Sequence, residues 1–520
     1  MSSSGDAAPA GAYAPFRQRA FALLWTATLI SNIGTWMNDV GSGWLMTTLD
    51  PSPAVVTLVQ AATTLPVFCF ALLAGALADR LDKRRMLIAI NLVLLVVVST
   101  LTLLVWAGRM TPALLIAFTL MIGTGAAFVA PAWQAIVPQL VPRDQLRPAI
   151  ALNSMGINIA RAIGPAIAGV LIAGVGLAAP FALNALSFVA ILIALVLWQP
   201  PPALPVSGGG SLLQDMATGL RHVRHNRAMR DTALRAAAFF LFASAYWALL
   251  PLIARGIEGG GSTLYGALMG VVGAGAVTGA LLLPRLQRRA SADGTVRLGT
   301  LGTGLAPLLV AAFLGGLSWI AVLTSFNVSA QTALPGWVRA RGLAVFLMVF
   351  FGSMALGSLV WGQVATALSV PGALLLATAG LALGLLVTLR LPLGQAEGAD
   401  LSPAQAWPMA PEVTDGQARD SSAMVLVEYR IAPPDREAFL ALLPPVAHER
   451  LRNGATRWHV HECVETPGLW LESFHLPSWA EHLAQHERVS HADLDHHARL
   501  RTLHQGTDPP RVRHFIGPKR

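Results

Sequence analysis

A series of long apolar runs, separated by short polar segments, constrains this chain more than any other feature. A helix of about 20 predominantly apolar residues is enough to cross a bilayer. The sequence predicts twelve such spans, at 20–46, 54–78, 86–107, 112–133, 148–174, 178–198, 233–254, 263–284, 296–316, 319–337, 342–367 and 371–390. Most of the chain is therefore expected to be an all-α polytopic membrane protein.

Composition supports this class and excludes several others. Of the 520 residues, 54% are hydrophobic and only 12% are charged, whereas a soluble globular protein carries about 25% charged residues. The two cysteines, Cys69 and Cys463, provide no disulfide or zinc framework. The chain has no Walker pattern of Lys followed by Ser or Thr, which argues against an ATP-driven pump. We expect no cofactor.

The distribution of cations predicts the orientation of the chain. Arg80, Lys83, Arg84 and Arg85 lie in one short segment between the second and third spans, and short basic loops remain in the cytoplasm. With the N-terminus inside, the predicted outer loops contain only two cations, Arg109 and Arg255. We therefore expect a multi-pass protein of the plasma (inner) membrane with both termini in the cytoplasm.

A Pro- and Gly-rich interruption at 199–232 divides the spans into two groups of six. The predicted organisation comprises an N-terminal tail (1–19), an N-terminal six-helix bundle (20–198), a cytoplasmic linker (199–232), a C-terminal six-helix bundle (233–390), a second linker (391–421) and a soluble domain (422–520). Two six-helix halves joined by a linker are typical of transporters that work by alternating access.

The soluble domain is predicted to be a small ferredoxin-like α+β fold. Its pattern is strand, helix, two strands, helix, strand, at 424–431, 435–452, 457–464, 469–475, 478–489 and 511–516. The segments 469–474 and 479–483 resemble antibiotic-biosynthesis-monooxygenase-like modules, and this resemblance implies possible self-association through the sheet. His482 and His486 share a helix face, and His459 and His461 share a strand face. Without a Cys cluster or a His-Glu-x-x-His motif, we expect a dispersed histidine surface and no metal site.

Asp39 is the only carboxylate well inside an apolar run. A carboxylate at membrane depth is costly, so a functional role is the default hypothesis. We consider it a candidate proton-coupling group. The alternative is that Asp39 is close enough to the outer surface to be solvated.

Arg161 is the second ionisable candidate, and it is predicted to lie near the bilayer midplane in the fifth span. Asn153 and Asn158 precede it and form a polar stripe with it. The guanidinium can hold an anionic part of a substrate, pair with Asp39, or make a structural hydrogen bond between helices. Gly164, Pro165 and Gly169 follow, and they predict a bend and close helix packing.

Amide and aromatic residues elsewhere in the spans are further candidates for the substrate cavity. They are Asn32, Trp36, Asn38, Asn327, Gln331 and Gln363. Such groups suit a bulky amphipathic solute.

The segment from Gly75 to Arg85 resembles the loop between helices two and three of the major facilitator superfamily, although Asp82 stands where that family usually has Gly. Together with 131–134 and 158–165, it resembles the branch that contains enterobactin exporters and macrolide-efflux proteins. The resemblance implies a secondary exporter of small amphipathic molecules such as drugs or siderophore-like compounds, with proton antiport favoured and sodium coupling left open.

Two further expectations concern the loop between the second and third spans and the enzyme class. Gly75, Asp79, Arg80, Lys83 and Arg84 are expected to form a cytoplasmic gating loop that pairs across the bundle interface. The chain is not expected to be an enzyme. The alternative is a membrane-anchored enzyme or sensor whose activity resides in the C-terminal domain.

Overall fold

The computed structural model describes residues 11, 13–199, 212–287, 293–297, 308–394, 399–404, 420–506 and 508–518. The chain divides into two compact units. The first comprises Met1–Gly210, Ala233–Asn327 and Phe346–Leu391. The second comprises Ser211–Thr232, Val328–Val345 and Pro392–Arg520.

Eleven helices in the described part of the chain are long and apolar enough to cross a membrane. The first six are α1 (Arg19–Leu49), α2 (Pro53–Arg80), α3 (Lys83–Trp106), α4 (Pro112–Ile136), α5 (Leu146–Gly174) and α6 (Ala179–Leu197). A shorter helix, α7 (Leu212–His225), precedes the remaining five, which are α8 (Arg227–Gly256), α9 (Ser262–Gln287), α10 (Leu308–Thr332), α11 (Arg339–Ala367) and α12 (Val370–Thr388). The polytopic all-α class is confirmed.

One predicted boundary is wrong. The predicted break between spans 296–316 and 319–337 falls inside the continuous helix α10, Leu308–Thr332. Gly316 lies inside this helix, and a side chain there would collide with the backbone of Val272 in α9. The glycine permits close helix packing at this point and does not end the helix. Residues 298–307 of the predicted ninth span lie outside the described part.

Helix α5 holds a central position in the first unit because it packs against both α1 and α9. Trp25 on α1 donates its indole N–H to the Leu152 carbonyl of α5 at 3.0 Å. On the other side of α5, a Cβ at Gly169 would lie 2.9 Å from the Cα of Gly266 in α9. Small residues thus allow α5 and α9 to approach backbone to backbone, as expected for packed membrane helices.

The second unit contains a four-stranded antiparallel sheet of order β2-β3-β1-β4. Its elements follow the chain as β1 (Ala423–Arg430), α13 (Arg436–Arg452), β2 (Arg457–Glu462), β3 (Leu469–Leu476), α14 (Trp479–Arg488), α15 (His491–Leu503) and β4 (Arg511–Ile516). Burial alternates along β1 and β3, and the buried face packs on Phe439 and Leu443 of α13. The ferredoxin-like prediction is confirmed.

The second unit also includes two segments outside the predicted soluble domain, α7 and residues 328–345. Arg221 of α7 lies 3.5 Å from Glu481 of α14. The Arg488 guanidinium lies over the Trp337 ring, 4.5 Å from its centroid. These contacts dock the ferredoxin-like domain onto segments that precede membrane helices α8 and α11. Part of the predicted second linker also packs here, because the Ala404 amide donates to the Val489 carbonyl at 2.9 Å.

Candidate functional site

The crossing of α1 and α5 positions the two charged candidates of the membrane region. Gly164 sits against α1, where an added Cβ would lie 2.7 Å from the Cβ of Trp36. Arg161 lies one turn earlier on α5, and its guanidinium carbon is 5.4 Å from the centroid of the Trp36 ring. The close approach that Gly164 permits thus places a cation over an aromatic face, an attractive arrangement.

Arg161 has hydrogen-bond donors that the protein does not use. Its Nε and Nη1 are buried and make no hydrogen bond with any described residue. An ion pair with Asp39, one of the three roles considered for Arg161, is not among the ion pairs of the described part of the chain. A guanidinium with buried, unused N–H groups is suited to bind a carboxylate or another oxyanion.

Asp39 is half-buried and lies in α1, Arg19–Leu49, about 15 Å from the Leu49 end at 1.5 Å per residue. Its neighbours Met37 and Val40 belong to an apolar cluster that joins α1 and α5 to α8, α9 and α10. We call this the closing cluster; its buried members are Met37, Val40, Ala168, Ile172, Leu250, Ala254, Tyr265, Leu268, Met269, Val272 and Ala312. The carboxylate is therefore placed at the edge of an apolar seam between the two halves.

The closing cluster is densely packed near Tyr265. The Trp44 ring stacks on Tyr265 with centroids 6.2 Å apart and planes inclined by 24°. A Cβ at Gly43 would lie 2.9 Å from the Tyr265 hydroxyl oxygen. Sequence reasoning missed Trp44 and Tyr265 because both lie in apolar runs without a polar pattern. The only available signal was the pair of glycines, Gly41 and Gly43, on the same turn.

Helices α2 and α11 form a second contact between the halves, and this contact also lies near the Leu49 end of α1. The Ala54 amide, at the start of α2, donates to the Thr366 hydroxyl near the end of α11 at 3.2 Å. Further along, a Cβ at Gly352 would lie 2.6 Å from the Phe68 ring. The structure is thus closed between the halves at the Leu49 end.

Three of the amide side chains predicted to line the cavity make hydrogen bonds within the protein. Asn153 accepts a hydrogen bond from the Trp133 indole of α4 at 2.9 Å. Asn158 donates to the Ser154 carbonyl, and Asn327 donates to the Leu323 carbonyl, both at 3.0 Å and both within their own helix. These bonds tie α4 to α5 or satisfy the amide locally, so they reduce what the three side chains can offer a ligand.

The other cavity candidates are not gathered at one point. Asn38 is buried, and its Oδ1 has no partner among the described residues, so it resembles Arg161 in this respect. Asn32 is half-buried and Gln363 is exposed. Gln331 lies in the second unit of the chain. The residues that the structure brings together are Trp36, Arg161 and Gly164, with Asn38 and Asp39 further along α1.

Only one cation of the predicted gating loop, Arg84, has side-chain hydrogen bonds among the described residues, and these bonds stay within its own bundle. Arg84 donates to the carbonyls of Leu195 and Val196, each at 2.8 Å, and so caps the end of α6 within the same bundle. Asp82 accepts from the Arg85 amide at 2.8 Å and caps α3. Gly75 has no close neighbour at its Cβ position, and Lys83 begins α3. The side chains of Asp79 and Arg80 lie outside the described part.

The ferredoxin-like domain contains a buried charge network. The Arg450 Nε lies 3.1 Å from a Glu472 oxygen, which also accepts from the Trp458 indole at 3.0 Å. Glu449 contacts Arg450 at 3.6 Å and His497 at 2.7 Å. Burial favours a high pKa for Glu449, but Arg450 and His497 outweigh it and lower the pKa to about 2. The network keeps its charges paired.

Three histidines of this domain come together, although no metal site was expected. One ring nitrogen from each of His482, His486 and His514 lies within 4.8 Å of the others. The predicted pair on α14 is thus joined by His514 of β4, which the pairing of β4 with β1 brings next to the helix. The sequence analysis missed this third residue because it lies 28 positions beyond His486.

A family model described as "Transmembrane secretion effector" matches residues 10–520. The Staphyloferrin A transporter of Staphylococcus aureus is 24% identical over 348 residues, which cover 65% of this chain and 87% of that relative. The multidrug efflux pump Tap of Mycobacterium tuberculosis is 26% identical over 406 residues, covering 72% of this chain and 94% of the pump.

Solved structures show the same fold. The crystal structure of a POT family transporter in complex with 5-aminolevulinic acid superimposes with a TM-score of 0.60 and 12% sequence identity. The match covers 74% of this chain and 98% of that transporter. At such low identity, the likeness concerns architecture alone.

Proposed function

This chain belongs to the transmembrane secretion effector family of the major facilitator superfamily, and we propose that it exports amphipathic organic anions in exchange for protons. The observation that carries the proposal is the Arg161 guanidinium, which lies over Trp36 with buried N–H groups that no described residue accepts. The two named relatives are the Staphyloferrin A transporter and the multidrug efflux pump Tap, and the efflux in the name of Tap supports the direction of transport.

The orientation rests on the positive-inside rule. The segments at the Arg19 end of α1 contain Arg80, Lys83, Arg84 and Arg85, whereas the predicted loops at the Leu49 end contain Arg109 and Arg255. The Arg19 end therefore faces the cytoplasm, and the Leu49 end faces outward. With this orientation, the closing cluster seals the outer side, and a solute enters the site from the cytoplasm.

Arg161 and Trp36 together define the solute class. The guanidinium attracts a carboxylate or sulfonate, and the indole provides an apolar face for the body of the molecule. At membrane depth the charge of Arg161 is costly while it lacks an anion. An anionic solute pairs with this charge and relieves the cost, and this gain strengthens its binding. Asn38, whose Oδ1 is buried and unpartnered, offers an additional polar contact.

Asp39 couples transport to protons through the closing cluster. A charged carboxylate resists burial among apolar groups, whereas a protonated one does not. When the outer side opens, Asp39 becomes accessible to the outside and takes up a proton. Protonation then favours the closed arrangement, in which Asp39 lies next to Met37 and Val40. The cycle rocks the two bundles around this site, and each return of the empty carrier brings one proton inward.

The ferredoxin-like domain acts in this scheme as a docking module and not as an enzyme. The family match extends to residue 520, so the domain lies within the matched length. Its contacts with α7 and with Trp337 link it to segments that lead into α8 and α11. Self-association through its sheet stays a prediction.

The experiment uses everted membrane vesicles, in which respiration acidifies the interior and export becomes measurable as uptake. The probe is carboxyfluorescein, an anionic aromatic dye, and cationic ethidium serves for comparison. Wild-type vesicles are expected to accumulate the anionic dye when the gradient is present and to lose it when the gradient is collapsed. Asp39→Asn should abolish the gradient-driven accumulation but retain exchange of dye at equal pH.

The matched control is Asp50→Asn, which removes a carboxylate at the end of the same helix and outside the closing cluster. This variant should transport as the wild type does. Equal gradient-driven accumulation by Asp39→Asn and the wild type would remove Asp39 as the coupling group. Accumulation of ethidium but not of the anionic dye by the wild type would overturn the anionic solute class.

A further inference from the structure

The histidine cluster of the ferredoxin-like domain is independent of the transport site. His482 and His486 lie on successive turns of α14, with ring centroids 4.7 Å apart. His514 comes from β4, and its ring centroid is 4.9 Å from that of His482. Trp479 packs against both His482 and His514, at 5.0 and 5.7 Å. Three imidazoles from two different elements thus converge beside an aromatic wall.

Two buried side chains at this cluster, His482 and Gln485, have polar atoms without a hydrogen-bond partner among the described residues. His482 is only 1% exposed. Neither of its ring nitrogens makes a well-aligned hydrogen bond with a described residue, although the Gln485 side chain lies close enough to interact with it. Gln485, on the same helix, is fully buried, and both of its amide atoms are likewise without a described partner. Buried polar side chains are nearly always hydrogen-bonded or bound to a ligand. Four such atoms on neighbouring residues therefore indicate a ligand.

We propose that His482, His486 and His514 form a binding site for a divalent transition-metal ion of the zinc type. Three imidazole nitrogens are a ligand set that suits Zn²⁺, Cu²⁺ and Ni²⁺ and disfavours Mg²⁺ and Ca²⁺, which require oxygen ligands. The ring nitrogens lie within 4.8 Å of one another, compared with about 3.4 Å when a metal holds them tetrahedrally at about 2.1 Å. Small side-chain rotations close this difference.

The fourth coordination position has two possible occupants. The Gln485 amide oxygen is one, since it is buried and unpartnered, and a water molecule is the other. His-rich sites with three protein ligands commonly keep such a position.

The site links α14 to β4, and α14 also contains Glu481 and Arg488. Glu481 contacts Arg221 of α7, and Arg488 lies over Trp337. A bound ion holds α14 against the sheet and thereby fixes the residues through which the domain docks onto α7 and 328–345. Metal occupancy is thus expected to strengthen this docking.

The test measures metal binding by the full-length protein, purified in detergent with an affinity tag that contains no histidine. Zn²⁺ alone is titrated by calorimetry, and bound metal is counted by mass spectrometry after desalting. We expect one Zn²⁺ per chain and an absorption spectrum typical of tetrahedral coordination when Co²⁺ replaces it. His514→Gln and His486→Gln should each lower the Zn²⁺ affinity at least tenfold.

The matched control is the double variant His459→Gln/His461→Gln, which removes two histidines whose rings also lie close together, at 6.1 Å. It should bind Zn²⁺ as the wild type does. His482 is buried, so its replacement can disturb folding; the half-buried His514 provides the decisive variant. Hydrogen exchange of β1 and β3 that matches the wild type verifies that the His514→Gln variant is folded. A wild type that binds no Zn²⁺, or a correctly folded His514→Gln that binds it equally well, overturns the site.

Discussion

Two arginines in different regions of this molecule are surrounded in opposite ways. Arg450, in the core of the ferredoxin-like domain, lies 3.1 Å from Glu472 and 3.6 Å from Glu449, with its guanidinium 4.8 Å from the Phe474 ring centroid. Arg161, at the crossing of α1 and α5, also lies over an aromatic ring. No carboxylate of the described residues pairs with it.

We interpret this difference as one between a structural charge, Arg450, and a charge proposed to bind a ligand, Arg161. A buried cation needs an anion, and a protein that supplies the anion from its own chain has used that charge for folding. Where the chain supplies only an aromatic face, the cation is suited to bind an anionic ligand reversibly. Arg450 therefore belongs to the architecture of its domain, and we propose that Arg161 binds the transported solute.

The largest expected effect is on stability and separates the two arginines directly. Arg450→Met leaves Glu449 and Glu472 buried without their cation, which should cost about 3–5 kcal/mol of domain stability. Hydrogen exchange of β1 and β3 in the full-length protein measures this loss. Arg161→Met removes a cation that has no protein anion, so it should leave the exchange of α1 and α5 unchanged or slower. Equal destabilisation by both variants would mean that the two arginines do not differ.

The contrast also shows what the sequence could reveal. Asp39 and Arg161 were identifiable because a charge stands out in an apolar run, and the positions of most membrane helices follow from the length of those runs. The ferredoxin-like order was readable because strands alternate and turns such as Thr466-Pro467-Gly468 separate them. These are local signals, and each is contained within one element.

Features that depend on two distant elements could not be predicted. Arg84 was expected to pair across the bundle interface. The fold places it next to the C-terminal end of α6, where it donates to two backbone carbonyls. His514 completes the histidine cluster only because β4 pairs with β1. In the same way, Tyr265 meets Trp44 only after α9 docks on α1. The spacing of these residues along the sequence does not predict such contacts.

The second prediction concerns His222 of α7, a buried group that the second unit keeps neutral. Burial, together with the nearby cations Arg452, Arg488 and Arg221, lowers the pKa of His222 to about 3. Unfolded or undocked α7 therefore binds a proton at a pH where the docked form does not. Stability is full above about pH 6.5 and falls as the pH drops towards 3, by about 2 kcal/mol at pH 5.

Hydrogen exchange of α7 and α13 at pH 7.5 and pH 5, corrected for intrinsic exchange rates, measures this dependence. His222→Gln should flatten it, although His482, whose pKa burial lowers to about 3, adds a dependence of the same sign that remains in the variant. The control His225→Gln alters the neighbouring histidine, which bonds to the Arg221 carbonyl of its own helix. It should keep the full acid sensitivity. An unchanged pH profile in His222→Gln would contradict the assignment.

The third prediction is the smallest in energy but tests the ligand-binding half of the comparison. Arg161→Gln should reduce transport of carboxyfluorescein at least tenfold, which corresponds to about 1.4 kcal/mol, and Arg161→Lys should retain part of it because the charge remains. Transport of a neutral aromatic solute should fall much less, since Trp36 still provides its face. If Arg161→Gln affected the neutral and anionic solutes equally, Arg161 would act through the packing of α1 on α5 and not through an anion. A selective loss would instead mean that the solute supplies the carboxylate that Glu472 supplies to Arg450.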